Sequence, residues 1–183
     1  ILGGPLDLGA ENLGVDVGPN AFRYLKILEK LTHVGFTVTD AGNIECNPRK
    51  HLKVGDPKLK YLEEILRVSE ESAKKTFKLI QEGEKVIALG GDHSLCLGVI
   101  SGASVALKGN LGLIYLDAHG DMNTTKTTLT GNIHGMPLAA LMGFGDKQLT
   151  NVYKPKRKIS KEHMLHIGGN DFDPGELDLI ERE

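Results

Sequence analysis

The chain has 183 residues, of which 40% are hydrophobic and 25% are charged. This composition is typical of a globular protein large enough to bury a core, and a single domain is the default expectation. The formal net charge of −2 provides no general basic surface, so we expect no nucleic-acid partner and no anionic-membrane partner.

Membrane insertion and secretion find no support in the sequence. No apolar run approaches the roughly 20 residues that a membrane span requires. No cleavable signal pattern opens the chain. Cys46 and Cys96 form no metal-like or redox pair. We therefore predict a cytoplasmic protein whose partner is a small molecule or another protein.

The amino-terminal third is predicted to contain two strands and a helix. Residues 1–5 are interpreted as the end of a first strand, and we expect the parent protein to have residues before them. A Gly-rich loop over residues 9–18 leads to a helix that Pro19 opens. Residues 36–40 are predicted to form a second strand, and residues 41–57 a surface connection. The apolar stripe of the helix consists of Phe22, Leu25, Leu28 and Leu31.

A long helix is predicted after Asp56 and Pro57, which are typical of a helix start. Its charged residues are expected to form a solvated face. Its apolar face consists of Leu59, Leu62, Leu66, Ala73, Phe77 and Ile80.

The rest of the chain is predicted to continue the alternation of strands and helices. Strands are expected at residues 85–89, at residues 113–116 as a buried apolar run, and at residues 164–168. Helices are expected to begin near His93, near Gly135 and at Asp173, and residues 144–161 to form a solvated loop. This order indicates an α/β fold with a parallel sheet. The sequence has no nucleotide-binding glycine motif.

Asp117, His119 and Asp121 occupy alternate positions where the strand at residues 113–116 ends. Alternate residues of an extended chain point to the same side, so these side chains are predicted to converge. Two carboxylates and an imidazole directed at one place are costly unless a cation lies between them. Oxygen ligands with some imidazole suit a divalent ion such as Mn²⁺, although affinity alone would favour Zn²⁺ or Ni²⁺. We therefore predict a metal site.

His93 is predicted to join this site. It follows the strand at residues 85–89 and the Gly90-Gly91 turn, and ligands of open parallel sheets gather outside the carboxyl ends of the strands. Simpler interpretations exist for each residue alone. Asp92 can cap the helix after Gly91, with His93 an ordinary residue of its first turn. Aspartates after a strand commonly form local turns. Two strands each end in potential metal ligands, and this coincidence favours a metal site over the simpler interpretations.

Three segments together carry a family resemblance. GGDHS at residues 90–94, DAHGD at residues 117–121 and NTTKTTLTGNIHGMP at residues 123–137 resemble the ureohydrolases, and within them the arginases. The resemblance implies a three-layer arginase-like fold, in which a parallel sheet is flanked by helices. It also implies that residues 1–183 are one ureohydrolase domain, truncated at both ends and lacking carboxyl-terminal strands with an Asp-x-Asp ligand pair.

The resemblance implies two Mn²⁺ ions and a metal-bridging hydroxide. By that resemblance His93 and Asp121 ligate one ion, His119 the other, and Asp117 bridges them. His119 is also expected to lie against the substrate, and Asp121 to relay a proton from the hydroxide. His134 matches the histidine that shuttles protons to the leaving amine, although a histidine near a loop is more often structural.

Substrate contacts are also implied by the resemblance. Asn123 and Thr130, with Asn132 nearby, match the contacts of arginases to the α-carboxylate of arginine, although arginases usually have serine where Thr130 stands. Asp173 matches the carboxylate that faces the α-amino group, and Glu176 an acidic support. Asp173 and Glu176 also fit an ordinary helix start.

The resemblance thus predicts Mn²⁺-dependent hydrolysis of L-arginine to L-ornithine and urea by the full-length parent, with this part alone inactive. A homotrimer or homohexamer is implied as well. One alternative is another ureohydrolase that acts on agmatine or on a related guanidino or formimino compound. The other is a non-catalytic paralogue that binds metal or forms oligomers.

Overall fold

A computed structural model describes residues 1–182, which contain four short strands and seven α-helices. In chain order the strands are β1 (Leu2–Gly4), β2 (Ala88–Gly90), β3 (Leu113–Leu116) and β4 (Met164–Ile167). The helices are α1 (Gly18–Tyr24), α2 (Ile27–His33), α3 (Leu62–Gln81), α4 (Cys96–Ala106), α5 (Pro137–Leu141), α6 (Lys147–Thr150) and α7 (Pro174–Arg182). None of these helices is long and apolar enough to cross a bilayer.

The described strands pair in parallel, as the sequence predicted, but in two separate ladders. β1 pairs with β2, so that Leu2 lies opposite Ala88. β3 pairs with β4, so that Leu113 lies opposite Met164. The helices between them make the fold α/β, and each parallel pair requires a long crossover connection. The predicted α/β fold class is therefore confirmed.

The prediction of a strand at residues 36–40 is wrong, because the segment that pairs with β1 lies a few residues later. Residues 36–40 belong to no strand. The backbone N–H of Ala41 donates to the carbonyl of Ile1 at 2.8 Å, and that of Ile44 donates to the carbonyl of Gly3 at 2.8 Å. The alternation of residues favoured 36–40, but hydrogen bonding places the segment that pairs with β1 at residues 41–44.

The helix predicted from Pro19 is two helices. Lys26 has a φ of 60°, in the left-handed region, and separates α1 from α2. Phe22 and Leu25 of the predicted apolar stripe are largely exposed. The long helix also begins later than predicted, at Leu62, because Tyr61 has a φ of 56°. A residue in the left-handed region interrupts helical hydrogen bonding, and propensity alone does not reveal it.

The main core lies between α3, α4, β1 and the start of α5. Its fully buried members include Leu6, Ile65, Val68, Leu97 and Ile133. A smaller cluster around Tyr115, Met122 and Leu138 packs beneath β3. These two clusters hold the carboxyl ends of β2 and β3 in place.

Two predictions about burial are wrong. β3 is not buried throughout: Tyr115 is 5% exposed, whereas Ile114 and Leu116 are 67% and 74% exposed.

Residues 144–161 are not only a solvated loop, because they include α6 and the buried Lys158. Its ammonium donates to three carbonyls, those of Thr150 at 2.9 Å, Lys154 at 2.6 Å and Lys156 at 2.7 Å. These hydrogen bonds offset the cost of burying the charge.

Candidate metal centre and adjoining cleft

The carboxyl ends of β2 and β3 bring together an imidazole and two carboxylates. The Nδ1 atom of His93 lies 2.8 Å from Oδ2 of Asp121 and 3.1 Å from Oδ2 of Asp117. One ligand atom from each of these residues lies within 4.8 Å of the others, as a metal ion requires. His93 enters the group from the 3-10 turn His93–Leu95, and Asp117 directly follows β3.

Asp92 holds the turn that presents His93. Its carboxylate accepts hydrogen bonds from the backbone N–H groups of Ser94 at 2.9 Å, Leu8 at 2.9 Å and Gly9 at 2.8 Å. The interpretation of Asp92 as a helix cap is therefore confirmed. The turn that Asp92 stabilises carries His93, whose side chain faces the two carboxylates.

His119 lies at the edge of this group. Its Nδ1 atom is 3.3 Å from Oδ1 of Asp117, and its side chain is 64% exposed. Its Nε2 atom lies 3.7 Å from Oδ2 of Asp171. The structure thus brings together His93, Asp117 and Asp121, and it places His119 on the opposite oxygen of Asp117. His119 therefore contacts Asp117 from outside the group of three, and its role as a ligand stays a prediction.

Hydrogen bonds shift the protonation of His93 and Asp117 in the direction of an ion pair. The hydrogen bond from His93 to Asp121 raises the pKa of the His93 imidazole, although partial burial opposes it. Burial alone would raise the pKa of Asp117, but the backbone N–H of His119 and the charge of His93 lower it. A cation in this place would replace the proton that the imidazole takes up.

Asp121 is buried in an unusual backbone conformation. It is 4% exposed and has a φ of 49°, in the left-handed region that non-glycine residues seldom adopt. Its backbone carbonyl accepts from the N–H of Ala139 at 3.1 Å. Surrounding contacts must hold such a residue in place, and local strain of this kind concentrates at functional sites.

Tyr115 also contacts this group, although it belongs to none of the motifs that predicted the site. Its hydroxyl donates to Oδ2 of Asp121 at 2.7 Å, and its ring stacks on His93 with centroids 5.1 Å apart. Burial raises the pKa of Tyr115 above its usual range, so the hydroxyl remains a donor. The alternation of side chains along a strand gives a sequence signal for Tyr115. Tyr115 and Asp117 lie two residues apart, so they are expected on the same side of the chain.

A cleft of about 210 Å³ adjoins the candidate metal centre. Every predicted substrate-binding residue lines it, together with Asp121 and His134. The lining residues are His119, Asp121, Asn123, Thr128, Thr130, Asn132, His134, Gly135, Asp171, Asp173 and Glu176.

One end of the cleft is organised by Glu176. Its Oε1 atom accepts from the backbone N–H of Met122 at 2.9 Å, and its Oε2 atom from that of Asp173 at 2.9 Å. The second contact is the helix-start arrangement that the sequence indicated. The carboxylate of Asp173 accepts from the side-chain amide of Asn123 at 2.8 Å. Asp173 is thus held by Asn123 and Glu176 at the cleft.

The other side of the cleft is formed by residues 128–135. The backbone N–H of Asn132 donates to the hydroxyl of Thr130 at 3.2 Å, and the N–H of His134 donates to the carbonyl of Gly9 at 3.1 Å. The His134 side chain is half-buried, and no hydrogen bond joins it to another side chain of residues 1–182. Its imidazole is therefore available to a molecule in the cleft.

The fold and the site define an α/β protein with a candidate divalent-metal centre beside a polar cleft. The sequence model of the Arginase family matches residues 1–183. The chain therefore belongs to the arginase family, which confirms the resemblance seen in its motifs.

Named relatives agree with this assignment. The chain is 43% identical to an arginase of Brevibacillus brevis over 182 residues, which cover 100% of this chain and 60% of that protein. It is 43% identical to an arginase of Bacillus subtilis over 180 residues, with 98% and 60% covered. The chain thus spans about 60% of the length of the curated relatives it matches.

Solved structures show the same fold. The structure of Bacillus caldovelox arginase matches with a TM-score of 0.91 and 39% identity, covering 99% of this chain and 60% of that one. An Entamoeba histolytica arginase in complex with L-ornithine matches with a TM-score of 0.88 and 31% identity, covering 99% and 61%.

Proposed function

We propose that the full-length protein is an Mn²⁺-dependent hydrolase that converts L-arginine to L-ornithine and urea. The observation that carries this proposal is the His93, Asp117 and Asp121 group, which lies beside a cleft lined by the predicted substrate-binding residues. The relatives named above as arginases support the reaction.

The donor set fits a divalent cation. Asp117 and Asp121 lie with His93 in one group, and two carboxylates this close favour a positive charge between them. Carboxylate oxygens with an imidazole nitrogen are ligands that suit Mn²⁺. His93, Asp117 and Asp121 would therefore hold the metal.

A second ion is supported by the two oxygens of Asp117. Its Oδ2 atom faces His93 at 3.1 Å, and its Oδ1 atom faces His119 at 3.3 Å. A carboxylate that faces one imidazole on each oxygen suits a bridging ligand. We propose that Asp117 would contribute to holding two Mn²⁺ ions, one together with His93 and Asp121 and the other together with His119.

The chain's own residues would handle the protons and the orientation of the substrate. When bound, the divalent ions supply a water that is ionised near neutral pH. Asp121 lies at the junction of the group and the cleft, where its carboxylate can take up a proton during the reaction. His134 lies at the cleft with its imidazole uncommitted, and histidine is the side chain that most often transfers protons in catalysis, so it suits proton donation to the leaving amine.

Neutral side chains would recognise the α-carboxylate of arginine, and a charged side chain would recognise its α-ammonium group. Asn123, Thr130 and Asn132 supply neutral donors for the α-carboxylate. Asp173 supplies an anion for the α-ammonium, and Glu176 fixes the backbone N–H of Asp173. The relative from Entamoeba histolytica, whose structure contains L-ornithine, supports an amino-acid ligand.

We further propose that the full-length protein is cytoplasmic and forms a homotrimer or a homohexamer.

Turnover of arginine and of agmatine by the full-length protein with Mn²⁺ tests the substrate. Agmatine lacks the α-carboxylate, so the proposal expects a preference for arginine. We expect Asn123→Ala to raise the KM for arginine while leaving the KM for agmatine nearly unchanged. A preference for agmatine would overturn the substrate assignment, and no turnover of either with Mn²⁺ bound would favour a non-catalytic paralogue.

A further inference from the structure

The buried phenol of Tyr115 connects two of the proposed metal-binding side chains. Its hydroxyl donates to Oδ2 of Asp121 at 2.7 Å and lies 3.3 Å from Nδ1 of His93. Its ring lies nearly parallel to the His93 imidazole, with an interplanar angle of 19°. Tyr115 therefore contacts the imidazole through its face and the carboxylate through its hydroxyl.

The hydroxyl has a defined task because of the backbone at Asp121. A phenol has one proton to donate, and the shorter distance assigns it to Asp121. Asp121 stands at a φ of 49°, where a non-glycine residue needs support from its surroundings. Oδ2 of Asp121 also lies 2.8 Å from Nδ1 of His93, so the hydroxyl, the carboxylate and the imidazole form one closed triangle.

The rings behind Tyr115 keep it in place. His166 of β4 packs against Tyr115 with centroids 5.6 Å apart, and Phe172 packs edge-on against His166 at 6.2 Å. Tyr115 itself is 5% exposed. A buried ring between His93 and His166 has little freedom to rotate, so its hydroxyl is directed at Asp121 by packing.

We propose that Tyr115 is a positioning residue that orients the Asp121 carboxylate and the His93 imidazole for the metal ion before the ion binds. This inference rests on the proposed metal site. Groups that hydrogen-bond to metal ligands fix their orientation, and their loss commonly weakens metal affinity by about 10- to 100-fold. Tyr115 acts through Asp121 and need not contact the substrate.

The test measures Mn²⁺ binding by the full-length protein. Electron paramagnetic resonance of the free ion monitors the binding. Tyr115→Phe removes the hydroxyl and keeps the ring, and we expect the Kd for Mn²⁺ to rise about tenfold. Tyr153→Phe is the matched control, because the Tyr153 ring packs on Phe77 and its hydroxyl makes no hydrogen bond within residues 1–182. We expect its Kd to equal that of the wild type.

A double-mutant cycle separates positioning from general stability. If Tyr115 acts through Asp121, Tyr115→Phe adds little to the loss already caused by Asp121→Asn. Independent, multiplicative losses would overturn this route. An unchanged Kd in Tyr115→Phe would overturn the inference and leave the proposed function standing. Absence of Mn²⁺ binding by the wild type would overturn both, and unfolding of metal-free Tyr115→Phe would make the hydroxyl a structural element instead.

Discussion

His134 tests the proton-transfer part of the proposed chemistry. Its imidazole is half-buried at the cleft, whereas its neighbours Ile133 and Met136 are fully packed in the core. Asparagine keeps the polarity and removes the titratable nitrogen. We expect His134→Asn to lower kcat for arginine by about 10²- to 10⁴-fold, as measured by urea release from the full-length protein.

The control for this variant is His33→Asn, which changes an exposed histidine at the end of α2. We expect wild-type kcat from it. We also expect His134→Asn to bind Mn²⁺ as the wild type does, since His134 lies outside the metal group. A kcat within twofold of wild type in His134→Asn would contradict the proposed proton transfer.

Glu64 gives the fold a predictable pH dependence. It is buried on α3, and it accepts hydrogen bonds from the backbone N–H of Asn47 at 2.8 Å and from Nη2 of Arg67 at 2.7 Å. Burial alone would raise the pKa of Glu64, but these hydrogen bonds lower it below its usual 4.5. The stabilisation is therefore present above pH 4.5, and it is lost as the pH falls through the lower pKa of the folded state.

Glu64→Gln checks this dependence by urea unfolding at a series of pH values. We expect the variant to be less stable than wild type at pH 7, because a neutral amide cannot pair with Arg67. The difference should shrink as the pH falls below about 4.5 and the wild-type carboxyl takes up its proton. Glu63→Gln, at an exposed neighbouring position of α3, serves as the control. A difference that stays constant with pH would contradict the assignment.

The contact between α3 and α4 depends on two glycines. A Cβ atom at Gly98 would overlap the Ser72 hydroxyl and the Ser69 carbonyl, and one at Gly102 would overlap the carbonyl of Ala73. The backbones of α3 and α4 therefore pack directly against each other at these two glycines. Because α4 directly follows the turn that carries His93, this packing also fixes the position of the metal group.

We expect Gly98→Ala to destabilise the protein by about 1–3 kcal/mol, the usual cost of overpacking a tight contact. Thermal or urea unfolding measures this loss. Gly112→Ala is the control, because a Cβ there would lie 3.7 Å from the carbonyl of His163, an ordinary contact. Equal stability of Gly98→Ala and wild type would show that α3 and α4 can separate without cost.

At the same scale, local sequence signals explain what could be predicted. The bounds of β3 follow from its apolar run, and the start of α7 follows from Asp173, Pro174 and Glu176. The segment that pairs with β1 and the break at Lys26 depend on contacts distant in sequence or on one backbone angle, so periodicity did not reveal them.

The candidate site shows the same division. Motif spacing and the rule for parallel strand ends brought His93 to Asp117 and Asp121, and the structure has them in one group. The exposed position of His119 was not predicted from the sequence. For Tyr115, alternation along β3 indicates the side on which the ring lies, but not the contact of its hydroxyl with Asp121. Both features depend on side-chain direction and packing, which no pattern of residue types specifies.

For the whole molecule, the described strands form two separate parallel ladders, and the chain spans about 60% of its relatives' length. One face of the β3 and β4 ladder carries exposed apolar side chains, those of Ile114, Leu116, Leu165 and Ile167. Under the proposal of two Mn²⁺ ions, His93, Asp117, His119 and Asp121 would supply only part of the ligands. We therefore expect residues 1–183 alone to bind Mn²⁺ weakly and to release no urea.

The most direct measurement of the central claim is urea release from L-arginine by the full-length protein, stripped of metal and then supplied with Mn²⁺. We predict no turnover without metal, recovery with Mn²⁺, and no recovery in Asp117→Ala, which removes the carboxylate between His93 and His119. Arginine turnover that is equal with and without Mn²⁺, or that survives in Asp117→Ala, would contradict the account.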